Sequence, residues 1–319
     1  MLVSVFLIIV GFVMLIVGAN FLVNGSSSIA KKMHIPEIII GLTIVSIGTS
    51  MPELLVSITS ATKGFSDMAM GNVVGSNIAN LLLILGLSAM VKPVKFKRET
   101  RLLEIPICLF ITTVFIVLCN VGQDVSRIDA IILTILFILF ISYTIVMAKK
   151  GEEFDKEDGE ENAQTEIKKT SKLRDIINII LGIVLLKIGG DFTVNNAVNI
   201  ATIFGWSEKL ISVTILAVGT SLPELVTSIS AAFKGNSDIA IGNILGSNIF
   251  NMLLIIGVSA LIKPITYNLS YNRDLIILAF ATIVLALFPI IPPKNQMSRT
   301  NGTIYFCLYL AYLGLLITV

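Results

Sequence analysis

Two hexads hold the residues best able to do chemistry: Gly48-Thr49-Ser50-Met51-Pro52-Glu53 and Gly219-Thr220-Ser221-Leu222-Pro223-Glu224. Each sets an ionisable carboxylate inside an apolar run, the first extending from about residue 37 to about residue 61, long enough to cross a bilayer. A charge at that depth is expensive and calls for a compensating partner. On a helix, Ser46, Ser50, Glu53 and Ser57 fall at i, i+4, i+7 and i+11, a polar stripe on one face with Thr49 beside it. The second copy offers Ala217, Ser221, Glu224 and Ser228 with Thr220 beside them, so at Ala217 only a backbone oxygen could serve. Pro52 and Pro223 lack an N–H and clash with the carbonyl four residues back, which frees oxygens near Gly48 and Gly219. Freed carbonyls at membrane depth need a partner, and a cation supplies one.

The next helix of each copy carries a second stripe, Asn72, Ser76 and Asn80, repeated as Asn243, Ser247 and Asn251. Gly71 with Gly75, and Gly242 with Gly246, make small-xxx-small pairs suited to close helix packing. Two carboxylates, hydroxyls, amides and bared carbonyls, without histidine or thiolate, form a ligand set for a hard cation. Two negative charges match one Ca²⁺ or two Na⁺, and a flexible ring of oxygens suits these better than Mg²⁺, which demands a small octahedron. If crossing is easy only when charge is compensated, one ion must come in as another leaves. The alternative, that both glutamates are mere fasteners, asks costly duplicated charges to do what neutral groups could.

The elements that must position these residues are membrane helices. Of 319 residues, 55% are hydrophobic and only 14% charged, with mean hydropathy +0.91; soluble domains carry about 25% charged residues. Cys108, Cys119 and Cys307 lie singly in apolar runs and read as small hydrophobes, not as a disulfide framework or a metal site. Leu2 to Val23 lacks a basic leader and a small-residue cleavage site, so it is expected to be a retained first span. Ten transmembrane helices are expected, near 2–30, 36–62, 68–91, 102–120, 128–148, 175–203, 208–233, 239–262, 274–291 and 302–319. With both termini extracellular, about 17 basic residues face the cytoplasm against about five outside, which makes the 149–174 loop cytoplasmic. Its run Glu152 to Glu161 lacks the ligand spacing of an EF-hand loop and reads as a solvated linker.

That linker joins two halves. Shifting the chain by 171 positions aligns 41–94 with 212–265 at about 31 identities in 54. Gly18, Phe21, Val23 and Asn24 likewise meet Gly189, Phe192, Val194 and Asn195. The expected domains are a first five-helix repeat over 1–148, the linker, and a second five-helix repeat over 175–319. An odd number of spans per half makes this an inverted-topology repeat, an architecture that puts its substrate near the midplane. Among lesser features, Asp67 and Asp238 after Ser66 and Ser237 are expected to cap helices, and Lys187 to pair with Asp191 a turn away. His34 is expected in a solvated loop and Trp206 at the membrane interface.

The Gly-Thr-Ser-x-Pro-Glu hexads, with Gly-Ser-Asn-Ile-x-Asn at 75–80 and 246–251, resemble the alpha repeats of the cation/calcium exchanger superfamily, most closely its microbial sodium/calcium exchangers. The resemblance implies a ten-helix antiporter with alternating access, its first and sixth helices sliding over a core bundle while sodium drives calcium extrusion, three sodium ions per calcium. It implies that Glu53 and Glu224 coordinate both ions and that Thr49 and Thr220 complete the calcium site through their carbonyls. Ser50, Ser76, Ser221 and Ser247, with the carbonyls of Ser46 and Ala217, would line flanking sodium sites, and Asn80 and Asn251 would hold the centre. Asparagine at 251, where the potassium-dependent branch has aspartate, looks like a potassium-independent exchanger. The hexads depart from the Gly-Asn-x-x-Glu form of the proton-coupled branch. Ca²⁺ and Na⁺ are then substrates, with no cofactor, nucleic acid or obligate protein partner expected. Calcium/proton exchange and a passive cation channel are the alternatives, while a serine hydrolase at Ser50 or Ser221 has no base, His34 lying outside the spans.

Overall fold

Apolar runs without water to serve their backbone must satisfy it internally, and the chain does so almost entirely with helices. A computed structural model describes residues 1–149, 171–205, 217–292 and 294–318. In chain order the helices are α1 (Leu2–Lys32), α2 (Glu37–Thr49), α3 (Met51–Lys63), α4 (Ser66–Val91), α5 (Thr100–Val121), α6 (Arg127–Lys149) and α7 (Lys172–Ile203). They continue, after a single turn at Ala217–Gly219, with α8 (Leu222–Lys234), α9 (Ser237–Ile262), α10 (Leu269–Leu287) and α11 (Arg299–Thr318). Seven of these are long and apolar enough to cross a membrane, or eight if α2 and α3, bent by 51° at their junction, form one span. The chain is a multi-pass helical membrane protein. The span expected over 208–233 is described only from Ala217 onward, and the last expected span corresponds to the 20-residue α11. Trp206 and the acidic run of the linker lie outside the described residues.

The bundle is built around α4 and α9, whose apolar stretches are 83% buried, against 22% for α1 and 33% for α7. Both central helices widen into π-helix where the asparagine stripes end, at Ala79–Leu85 and Asn251–Ile255. A π turn rotates the following side chains out of α-helical register and is frequent at functional sites. Close contact lets α2 lie on α9: a Cβ at Gly242 would stand 2.7 Å from the Ile38 carbonyl, and one at Gly246 2.6 Å from the Leu42 carbonyl and from Ser46 Oγ. That is the packing the small-residue spacing predicts, but only for this pair: a Cβ at Gly71 would meet the Tyr271 hydroxyl at 3.2 Å and one at Gly75 would meet nothing within 4 Å, so no helix backbone approaches the first pair. Two short antiparallel ladders tie loops together, β1 (Val94–Lys95) with β4 (Gln296–Met297) and β2 (Asp124–Val125) with β3 (Ile265–Thr266).

Outside the core, α1 and α7 run side by side along a seam of small residues spaced by seven. A Cβ at Gly11 would meet the Gly189 carbonyl at 2.8 Å, one at Gly18 the Gly182 carbonyl at 2.9 Å, and one at Gly25 the Asp175 carbonyl at 2.8 Å. At one end of the seam, buried Asp175 accepts from Ser28 at 2.9 Å and pairs with Lys32. The helix ends depart from expectation in one respect: neither α4 nor α9 begins with a side-chain cap. Asp238 instead pairs with Lys97 at 3.4 Å, and Ser66 Oγ accepts from the Thr266 N–H. Lys187 and Asp191 pair at 3.1 Å as expected. Gly182→Leu should force the seam apart and cost about 1–3 kcal/mol. Thermal unfolding of the detergent-purified chain reads this as a lowered midpoint; an unchanged midpoint would show that the seam does not hold the pair.

Candidate functional site

Each hexad is a junction between two helices, not a kink inside one. Ser50 (φ −84°, ψ 9°) and Ser221 (φ −87°, ψ 8°) leave helical geometry, and Pro52 and Pro223 then sit in the first turn of α3 and α8, where a missing N–H costs nothing. Glu53 and Glu224 therefore lie in the first turn of a helix, whose positive end favours a carboxylate. Both are 1% exposed. Glycine is needed one turn earlier because α7 crosses there: a Cβ at Gly48 would stand 2.7 Å from Ile183 Cδ1, and one at Gly219 2.5 Å from Val194 Cγ2.

The serine and asparagine contacts around the carboxylates come in pairs related by exchange of the two halves. Ser50 Oγ donates to Glu224 Oε1 at 2.8 Å and lies 2.9 Å from Ser247 Oγ. Ser221 Oγ donates to Glu53 Oε1 at 3.3 Å and lies 3.2 Å from Ser76 Oγ. Each acid is thus held by a serine from the opposite hexad, so the residues predicted to share a site do meet. Behind them, the Asn72 amide donates to the Glu53 carbonyl at 3.2 Å and to Ser57 Oγ at 2.9 Å, while its oxygen accepts from Thr220 Oγ1 at 3.5 Å. Asn243 does the same toward the Glu224 carbonyl (3.5 Å), Ser228 (2.9 Å) and Thr49 Oγ1 (3.1 Å). Both ends of these amides are committed, so Asn72 and Asn243 fasten the hexads to α4 and α9 instead of facing an ion.

Of the ten buried side-chain oxygens without a protein partner among the described residues, four are Glu53 Oε2, Glu224 Oε2, Asn80 Oδ1 and Asn251 Oδ1. They belong to the four residues expected at the centre of a cation site. Leaving a buried acceptor unpaired costs about 1–3 kcal/mol, and more for a charge, unless a ligand takes its place. Among the described residues no three His, Cys, Asp or Glu side chains gather in one place, so the set is two acids supplemented by neutral oxygens. Such a set is the ligand chemistry of a hard cation. Ser46 is fully buried, its hydroxyl turned to the Leu42 carbonyl at 2.7 Å and its own carbonyl accepting from the Ser50 N–H at 2.9 Å and Thr49 Oγ1 at 3.3 Å. Ala217 opens the turn at Ala217–Gly219.

Sequence reasoning passed over Asn77 and Asn248. They lie off the i, i+4, i+8 stripe, but Asn80 Nδ2 donates to Asn248 Oδ1 at 3.0 Å and Asn251 Nδ2 to Asn77 Oδ1 at 2.9 Å. Their place three residues before Asn80 and Asn251, in the same duplicated segment, was the available signal.

Residues 3–146 and 175–318 match the family model described as "Sodium/calcium exchanger protein". The chain is 37% identical to CaxA of Alkalimonas amylolytica, over 99% of each chain. It is 31% identical to the sodium/calcium exchanger MaX1 of Methanosarcina acetivorans, over 98% of each. It is also similar to the solved structure of the sodium-calcium exchanger NCX_Mj soaked with 2.5 mM Na⁺ and 0.1 mM Ca²⁺, with TM-score 0.83 and 27% identity, covering 98% of each chain.

Asn243→Ala should strand the buried Ser228 hydroxyl, at about 1–3 kcal/mol, and leave Thr49 Oγ1 only the Ser46 carbonyl. The thermal midpoint of the purified chain should fall clearly; a midpoint within error of the unsubstituted chain would contradict the fastening role.

Proposed function

The chain belongs to the sodium/calcium exchanger protein family, and from that membership we propose that it exchanges sodium for calcium by alternating access, without need of potassium. The observation that carries this is the set of four unpartnered buried oxygens, two on acids contributed by opposite halves. Empty, such a pair repels itself in a place where water cannot help; filled by one Ca²⁺ or by Na⁺ ions, it is neutralised. Exchange follows, because the route between the two faces is open mainly to the compensated state. Glu53 and Glu224 coordinate both ions, Asn80 and Asn251 hold the centre, and the carbonyls of Thr49 and Thr220 complete the calcium site. Ser50, Ser76, Ser221 and Ser247, with the carbonyls of Ser46 and Ala217, line the sodium sites.

The proposed architecture is ten membrane helices in two inverted five-helix repeats, 1–148 and 175–319, joined by a cytoplasmic linker, with both termini outside. The paired contacts of the site support a two-fold relation between halves. The ladders support the alternation of spans, since β1 with β4 joins two loops assigned to one side and β2 with β3 joins two assigned to the other; which side is cytoplasmic rests on the distribution of basic residues.

Purified protein in sodium-loaded liposomes should accumulate radioactive calcium, and Glu53→Ala should remove nearly all of that uptake. Uptake indifferent to the sodium gradient, or undiminished in the variant, would sink the proposal; full replacement of internal sodium by acid would shift it to calcium/proton exchange. If three sodium ions leave for each calcium entering, one positive charge moves out per cycle. A valinomycin-set interior-positive potential should therefore speed uptake, and insensitivity to potential would refute that ratio.

A further inference from the structure

Where α4 and α9 pass each other, Asn77, Asn80, Asn248 and Asn251, none more than 1% exposed, bond across the halves. Asn248 Nδ2 donates to the backbone carbonyl of Asn77 at 3.3 Å, and Asn77 Nδ2 to the backbone carbonyl of Asn248 at 3.5 Å. A backbone carbonyl can only accept, so each of these amides must turn its nitrogen toward it and its oxygen the other way. That oxygen then receives the nitrogen of the inner asparagine, Asn80 on Asn248 at 3.0 Å and Asn251 on Asn77 at 2.9 Å. A flipped Asn80 would set oxygen against oxygen. The inner amides consequently have one orientation, with Oδ1 on the far side, and those two oxygens, like one oxygen of each hexad carboxylate, have no protein partner.

We propose that Asn77 and Asn248 are positioning residues that lock the amides of Asn80 and Asn251 oxygen-first toward the transported cation. An amide presents either an acceptor or a donor, and a cation tolerates only the first. A carboxylate would present oxygen whichever way it turned, at the cost of another buried charge; the cross-bonded pair gives a neutral residue the same certainty. Partners that orient a ligand in this way are commonly worth about 10–100-fold in metal affinity.

The inference rests on the function proposed above, and the test keeps the two apart. Calcium binding to the purified full-length chain is measured by calorimetry, with half-saturating calcium in sodium-loaded liposomes as a second readout. Absence of calcium binding by the unsubstituted chain would overturn the functional reading before any variant is made. Given binding, Asn77→Ala should weaken it about 10-fold or more, because the Asn251 amide is released to flip. In the N251D background, where both ends of the side chain are oxygen and one of them is set against Asn77 Oδ1, the same substitution should leave affinity unchanged or raise it. The mirror cycle, Asn248→Ala with and without Asn80→Asp, should repeat the pattern and decides the matter if an N251D chain does not fold. Equal losses in both backgrounds would show that Asn77 and Asn248 only hold the helices together, and no loss in either would show that they do nothing for the site; both results overturn the proposal.

Discussion

A carboxylate buried in an apolar bundle must be neutralised. Near the start of α5, Glu104 has one oxygen held by Tyr143 and one without a partner; the hexads hold two more such acids, one from each half. Each of these two has one oxygen held by a serine of the opposite hexad and one oxygen with no partner. Protein donors could have closed both sites completely, as they do for Asn72 and Asn243, whose oxygens accept from threonine and whose nitrogens are spent on a backbone carbonyl and a serine. Leaving the carboxylates open stores a demand for positive charge at a point where solvent does not reach.

The surrounding architecture answers that demand locally. Breaking the helices at Ser50 and Ser221 places each acid at the positive end of a new helix, which lowers the cost of keeping it charged. It also ends the preceding helix at the same point, where terminal carbonyls lack N–H partners. Ile183 and Val194 of α7 press on the glycines of the two breaks, so the helix that runs along α1 is also in contact with both halves of the site. A shift of the α1–α7 pair along the bundle would be felt at both hexads at once.

Much of this was legible in the residues. The hexads, their offset of 171, and the serine stripes follow from spacing alone, because i, i+4 and i+7 positions on a helix share a face whatever surrounds it. The helix break at each proline was expected, but its placement in the first turn of the new helix was not, since sequence cannot tell a missing hydrogen bond inside a helix from one at its start. Asp238 looked like a cap and became half of an ion pair with Lys97, a partner supplied by tertiary contact. For the same reason, Asn77 and Asn248 were not singled out. Which amide faces an ion depends on what the opposite half offers, and that half lies 171 residues away.

The central claim is that one dehydrated ion is shared between acids from opposite halves. Crystals of the chain grown with Ca²⁺ and measured at long wavelength would locate it by anomalous scattering. The account predicts a single strong peak within about 2.3–2.6 Å of both Glu53 Oε2 and Glu224 Oε2. A well-ordered map with no peak there, or with calcium bound by one of the two acids alone, would contradict it.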